Sequence, residues 1–299
     1  MGLLDRAALA TLPVLPTWLM RRLASRYIAG ERLEDALAKL TELQGRGFAG
    51  ILDILGEDVT DEPAARAVAA TYRAAASALA ERQLDTYVSI KPTHLGLRLS
   101  EELCAQLYDE LAAHCAGLAL GLRVEMEDHT TTDATLRVFE RLRRRHAHVG
   151  IVLQSRLLRT PADVAALAPG PLWVRMVKGI YLEPPAIAHT EPEPIRAAFL
   201  EASRLLLERG ARLSFATHDE LLQERLVALC ARLGVGRERY EFQVLLGVRE
   251  GLWSTWRAAG ERVRVYVPYG PEWRPYSTRR LRKNPEIFRH VVRDLVLRR

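Results

Sequence analysis

The chain has 299 residues, of which 48% are hydrophobic, and a formal net charge of +6 at pH 7. This length and apolar content allow two ordinary domains, or one (β/α)8 barrel of about 250 residues with an added arm. The odd count of three cysteines argues against a disulfide framework, and the arginine excess comes without a nucleic-acid-binding motif. We therefore expect a cytoplasmic protein with no nucleic-acid partner.

Residues 1–45 are predicted to be helical, because Leu33, Leu37, Leu40 and Leu43 recur at helical spacing. We expect this segment to form an N-terminal arm beside a catalytic domain of residues 46–299. Charged residues and prolines interrupt its apolar stretch, which argues against a signal peptide or a membrane span. Any membrane contact is therefore expected to be peripheral.

From residue 48 onward, short β-branched runs alternate with longer helical segments, which is typical of a parallel α/β fold. The predicted strands are residues 50–55, 87–91, 122–126, 149–154, 172–178, 213–217, 240–244 and 263–267. Eight repeats of strand and helix favour a closed TIM-like (β/α)8 barrel over an open doubly wound sheet.

Most of these strands end in a polar or charged side chain. The set comprises Lys91, Glu125, Gln154, Arg175, Lys178, Thr217, His218, Gln243 and Tyr266. Because the C-terminal strand ends form the active-site face of such barrels, these side chains should surround one cavity. A pocket rich in cations and poor in acids suits an anionic substrate and an anionic cofactor. The residues alone do not distinguish a flavin from pyridoxal phosphate.

After the last strand, residues 276–284 contain the adjacent arginines Arg279 and Arg280. Guanidinium groups bind a carboxylate in a planar, bidentate way, so this segment predicts a carboxylate clamp covered by Tyr276. The alternative is a solvated basic helix start. No metal site is predicted, because the candidate ligands lie on three separate loops, at His94, His129 and His218.

With these residues in view, the chain resembles the proline dehydrogenases, most closely the short monofunctional bacterial type. The matching segments are VSIK at 88–91, VEMED at 124–128, VLQS at 152–155, VRMVKGIY at 174–181, FATHDE at 215–220, EFQ at 241–243, VYVPYG at 265–270 and YSTRR at 276–280. The resemblance implies an FAD-dependent barrel that oxidises L-proline to Δ1-pyrroline-5-carboxylate. It further implies hydride transfer from C5 to flavin N5, with the electrons passed to a membrane quinone.

The resemblance also assigns roles to individual residues. It implies catalytic roles for Glu125 and Arg175, with Arg175 near flavin N5. The implied substrate-binding residues are Lys91, Tyr181, Tyr266, Tyr276, Arg279 and Arg280. The implied cofactor-binding residues are Met126, Gln154, Arg175, Val177, Lys178, Gly179, Thr217, His218 and Gln243.

Two positions depart from the family pattern. Glu125 replaces an aspartate, and Lys283 replaces a glutamate one helical turn after the clamp. Both changes affect the clamp, so a modified proline or a related cyclic amino acid is an alternative substrate. A Schiff-base lyase that uses Lys178 is a second enzymatic alternative. In a non-enzymatic alternative, the basic residues 289–299 bind anionic lipid or nucleic acid.

Overall fold

The computed structural model describes residues 20–21, 24–274 and 276–278. Its strands are β1 (Ala49–Ile54), β2 (Thr86–Ile90), β3 (Leu122–Val124), β4 (Val149–Gln154), β5 (Trp173–Val177), β6 (Arg212–Ala216), β7 (Tyr240–Leu245) and β8 (Val263–Tyr269). They form a closed barrel in sequence order, with every neighbouring pair parallel and β8 paired to β1. The predicted barrel is confirmed.

Helices cover the barrel; the first precedes β1, and each of the others follows a strand. They are α1 (Leu33–Gly45), α2 (Glu62–Glu81), α3 (Glu101–Gly117), α4 (Thr132–Arg143), α5 (Thr160–Ala166), α6 (Pro192–Glu208), α7 (Glu220–Arg232) and α8 (Glu250–Ala258). Several start at a polar cap: Asp61 accepts from the Ala64 amide at 2.8 Å, ahead of α2. Within the described residues, no helix is long and apolar enough to cross a membrane.

Helix α1 lies against β1 and β8. Its buried leucines, Leu37, Leu40 and Leu43, belong to the same hydrophobic core as the outward-facing side chains of the barrel strands. Gly50 allows this close packing, because a Cβ atom there would lie 2.3 Å from Leu40 Cδ2. The domain boundary at residue 45 stays a prediction, and the helix before it shares the core of the barrel.

Candidate active site

Arg175 on β5 lies at the centre of a buried polar network. Its Nε donates to Oε1 of Gln243 at 2.7 Å, its Nη2 donates to Oη of Tyr87 at 3.1 Å, and its Nη1 pairs with Glu125. Glu125 also accepts from the Ser89 hydroxyl. Burial raises the pKa of the Glu125 carboxyl, but the Arg175 guanidinium and the Ser89 hydroxyl together outweigh burial and lower it. The site therefore holds a fixed cation against an ionised carboxylate.

Gln243 continues the network towards the middle of the barrel. Its Nε2 donates to Glu241 Oε1 at 2.6 Å and to Tyr87 Oη at 2.8 Å, which fixes the direction of the amide. Glu241 in turn accepts from Arg264 Nε at 3.0 Å, and this guanidinium holds the pKa of the buried Glu241 carboxyl at about 2 although burial alone would raise it. A chain of charged contacts thus runs along the barrel interior below Arg175.

Lys91, directly after β2, lies at the same end of the barrel as Arg175. Its Nζ donates to Glu57 Oε2 at 3.1 Å and to the Gly56 carbonyl at 3.2 Å. Burial disfavours its charge, but the Asp53 and Glu57 carboxylates outweigh burial and raise the pKa of Lys91. The ammonium therefore stays charged in the pocket.

Asp53 on β1 interacts electrostatically with both Lys91 and Arg175. It is 1% exposed, it is hydrogen-bonded to Tyr266, and the charges of Lys91 and Arg175 both act on it. Burial nevertheless raises the pKa of this carboxyl to about 7. Cations from β2 and β5 thus converge on one end of the barrel, as the strand-end pattern predicts.

Two of the predicted flavin contacts, Gln154 and Gly179, lie against each other. Gln154 Nε2 donates to the Glu127 carbonyl at 2.6 Å, and a Cβ on Gly179 would lie 2.7 Å from Gln154 Oε1. Gly179 also has a φ of +100°, so both space and backbone conformation favour glycine there. Met126 is buried just after β3, and Val177 is half-buried at the end of β5.

Lys178 pairs with Asp219, which also accepts from Arg196 Nε at 2.6 Å. Burial would raise the pKa of the Asp219 carboxyl, but the two cations hold it at about 2. A Schiff-base lysine must reach its substrate, whereas Lys178 Nζ is engaged by Asp219; the lyase alternative stays a prediction. The Asp219 amide also donates to Thr217 Oγ1 at 3.1 Å, so Thr217 lies beside the Lys178–Asp219 ion pair.

His218, next to Thr217, has an imidazole fixed by the backbone. Its Nε2 accepts from the Leu245 amide at 3.1 Å, so the neutral tautomer with its proton on Nδ1 fits this position. His94 is neutral as well, because burial and then Lys91 lower its pKa to about 4. His129 instead pairs with Glu183 on the loop after β5. His218 and His129 therefore each have a structural contact, with the Leu245 amide and with Glu183.

The aromatic residues of the predicted substrate wall lie around Arg175. Its guanidinium carbon is 5.3 Å from the Tyr266 ring centroid, and Tyr276 is close enough to affect the ionisation of Tyr266. Tyr181 lies on the loop after β5, where its carbonyl accepts from Arg156. Arg279, Arg280 and Lys283 lie outside the described residues, so the carboxylate clamp stays a prediction.

The sequence analysis missed several acids and one tyrosine. Each described cation of the site pairs with or lies beside a carboxylate, so the pocket is not poor in acids as expected. The missed groups are Asp53, Glu57, Tyr87 and Asp219. One signal was present: Asp53 is an acid inside the apolar run GILDIL at 50–55, where a charge needs a partner.

Comparisons with known proteins identify the family of this chain. The family model described as proline dehydrogenase matches residues 36–291. The chain is 35% identical over 287 residues to the proline dehydrogenase of Deinococcus radiodurans, covering 93% of this chain and 91% of that protein. It is 30% identical over 273 residues to proline dehydrogenase 1 of Bacillus subtilis strain 168, covering 91% and 90% respectively.

A solved structure shows the same fold. It is proline utilization A (PutA) from Bdellovibrio bacteriovorus, inactivated by N-propargylglycine, with a TM-score of 0.81 and 24% identity. The match covers 87% of this chain and 32% of that one, so this chain corresponds to about a third of the longer protein. From the family match and the curated relatives, the chain belongs to the proline dehydrogenase family of oxidoreductase enzymes.

Proposed function

We propose that the protein binds FAD, oxidises L-proline to Δ1-pyrroline-5-carboxylate and passes the electrons to a quinone. The observation that carries the proposal is Arg175, held by Glu125, Gln243 and Tyr87 at the end of the barrel that also holds Lys91. The names of the curated relatives support proline as the substrate.

The residues at this end fit an anionic flavin. Three acceptors take three of the five N–H groups of Arg175, and the others remain for a ligand. Lys178, Arg196 and Arg225 share the two carboxylates of Asp219 and Glu193, which leaves positive charge for a diphosphate. Gly179 brings the backbone close to Gln154 on the same side. When bound, FAD supplies a hydride acceptor for proline C5 at its N5 atom and a route for the electrons to a quinone.

Around that cofactor, the remaining predicted contacts would hold the flavin and its phosphates. They are Met126, Gln154, Val177, Thr217, His218 and Gln243. The substrate carboxylate would bind Lys91 and the predicted clamp, Arg279 and Arg280, while the tyrosines enclose the ring. Glu125 would keep Arg175 in place. Such orientation can supply several kcal/mol of a reaction barrier, roughly 7–11 at most.

The extra methylene of Glu125 does not by itself require another substrate. Its carboxylate reaches both Arg175 and Ser89, so the longer side chain is accommodated inside the network. A modified proline or related cyclic amino acid stays a prediction that rests on Glu125 and Lys283. L-Proline is therefore the substrate that we propose. Comparing the rates of flavin bleaching by L-proline and by a modified proline decides between the two substrates.

The test is the spectrum of the purified full chain, loaded with FAD if necessary, before and after anaerobic addition of L-proline. We expect flavin bands that L-proline bleaches. Arg175→Lys should bleach about 100-fold or more slowly, because lysine cannot reproduce the three directed contacts. Glu208→Gln, which removes an exposed partner of Arg204, is the matched control and should bleach at the parent rate.

Two results would count against the proposal. If the chain takes up no FAD, the proposed cofactor is wrong. If L-proline leaves the bound flavin oxidised, the proposed substrate is wrong. Faster bleaching by trans-4-hydroxy-L-proline than by L-proline would favour the modified substrate.

A further inference from the structure

A second cavity, of about 660 Å³, opens at the N-terminal end of the barrel, opposite the end that holds Lys91. It is lined where strands begin, at Thr86 and Tyr87 of β2, Trp173 of β5, Arg212 of β6 and Arg264 of β8. Ala116, Leu120 and Pro171 add apolar surface. The proposed oxidation of proline uses none of this space.

The charges around this cavity are unbalanced. Arg262 and Arg264 share two carboxylates: Asp85 lies 2.6 Å from Arg262 and 3.1 Å from Arg264, and Glu241 lies 3.3 Å and 3.0 Å from them. Arg123 and Arg212 form no ion pair with any described residue. Three lining guanidinium groups, those of Arg212, Arg262 and Arg264, thus meet two carboxylates, and the buried Arg123 adds a fourth cation behind the Trp173 ring. The cavity therefore has excess positive charge.

Arg123 makes this excess costly, because its side chain is fully buried. It donates to the carbonyls of Ile151 and Trp173, both at 3.1 Å, and to Ser214, but these neutral acceptors do not cancel its charge. Burial lowers the pKa of Arg123 to about 10. A buried cation is normally compensated by an anion, and none of the described residues supplies one within ion-pair distance.

The cavity wall is also built around one aromatic ring. The guanidinium carbon of Arg123 is 3.8 Å from the Trp173 ring centroid, and the Tyr87 ring meets Trp173 edge-on at 4.7 Å. Gly121 and Gly150 make room for this ring, since a Cβ on either would lie 2.8 Å from it. The indole Nε1 of Trp173 is buried and has no acceptor among the described residues. Buried donors are rarely left unpaired, so this one points to a missing acceptor.

We propose that the N-terminal cavity binds a small oxyanion that carries a phosphate or carboxylate group. Arg212 and Arg262, which both line the cavity, are the donors available to it. The bound charge compensates the excess of guanidinium groups, including the buried Arg123. Arg212 is the residue to test, because it is exposed and makes no ion pair with a described residue, so its removal should leave the fold intact.

The experiment titrates the full chain with inorganic phosphate and, separately, with malonate, at constant ionic strength, and follows tryptophan fluorescence. We expect a saturable change with at least one anion, and the tighter of the two identifies the favoured group. Arg212→Gln should weaken this binding about tenfold, the usual effect of losing a charge-assisted hydrogen bond. Trp173→Phe should remove the fluorescence signal while thermal unfolding still reports binding.

The matched control is Arg232→Gln, which removes an equally exposed arginine at the end of α7, outside the cavity. It should bind the anion like the parent chain. Absence of saturable binding for both anions would overturn the proposal. Binding that Arg212→Gln leaves unchanged would also overturn it, because the anion would then occupy another site, such as the cationic pocket around Lys91.

Discussion

Asp53 is a buried carboxyl group whose ionisation works against folding. Its pKa is about 7 in the folded chain against an ordinary value of 3.8, mainly because of burial. Between these two values the folded chain keeps a proton that the unfolded chain has lost. The stability that this group contributes is therefore complete below about pH 4 and is lost as the pH rises towards 7.

Asp53→Asn removes this ionisation and keeps the shape of the side chain. The free energy of unfolding of the variant, relative to the parent, should rise by roughly 2–3 kcal/mol between pH 5 and pH 8. Urea denaturation at the two pH values measures this difference. Asp133→Asn, at an exposed ion pair with Arg159, is the control and should show little trend. A difference for Asp53→Asn that does not change with pH would contradict the expected pKa.

Residues such as Asp53 could not be assigned from the sequence, because their role depends on neighbours across the barrel. Tyr87 on β2 contacts Arg175, which is 88 positions away, and Gln243, which is 156 away. Only the strand register brings these side chains together. The polar strand ends were predictable because parallel strands of a barrel all end on one face, which places Lys91 near Arg175 without knowledge of any contact.

At the scale of elements, the strands could be predicted from the sequence, but the close contacts between neighbouring strands could not. Apolar β-branched runs such as VGIVLQ at 149–154 identify a buried parallel strand, and β4 has those bounds. The same run contains Gly150, and nothing in the sequence indicates why a glycine is needed there. Its reason is tertiary: the Trp173 carbonyl would lie 2.7 Å from a Cβ there, and Arg123 Nη1 would lie 2.9 Å from it.

Gly150→Ala tests this close approach at the start of β4. We expect a loss of about 1–3 kcal/mol in the free energy of unfolding, because the Trp173 backbone cannot move away without disturbing β5. Gly117→Ala is the control, since a Cβ there meets nothing within 4 Å and the residue ends α3. It should be neutral or slightly stabilising. Equal stability of both variants, measured by urea denaturation, would show that β4 has room for the methyl group.

Helix α1 provides a second test at this scale, because the sequence predicts an arm beside the barrel and the structure packs this helix on β1 and β8. Leu40→Ala removes a side chain that is almost fully buried there. It should cost about 2–4 kcal/mol, and circular dichroism and tryptophan fluorescence should report one shared transition. Leu221→Ala, at an exposed position of α7, should cost less than about 0.5 kcal/mol. Two separate transitions would mean that α1 folds apart from the barrel.

At the scale of the whole molecule, the two ends of the barrel differ in what they expose. The loop after β5, at the end that holds Arg175, exposes Leu182 (96%) and Ile180 (51%) on either side of Tyr181. Exposed apolar side chains beside a site suit contact with an apolar partner. The electron acceptor that we propose, a quinone, is apolar and resides in the bilayer. Under that proposal we expect this end to contact the membrane during reoxidation.

The double variant Ile180→Ser with Leu182→Ser should reduce binding to phospholipid vesicles more than tenfold, because each apolar side chain contributes about 1.5–3 kcal/mol when buried in the bilayer. Turnover with a quinone embedded in vesicles should fall to a similar extent, while turnover with a water-soluble electron acceptor should persist. Leu233→Ser is the matched control: Leu233 is 37% exposed and follows α7, whose course from β6 takes it to the opposite end of the barrel. Loss of turnover with both acceptors would instead place the loop in the proline or flavin site, and unchanged vesicle binding would exclude it as the membrane contact.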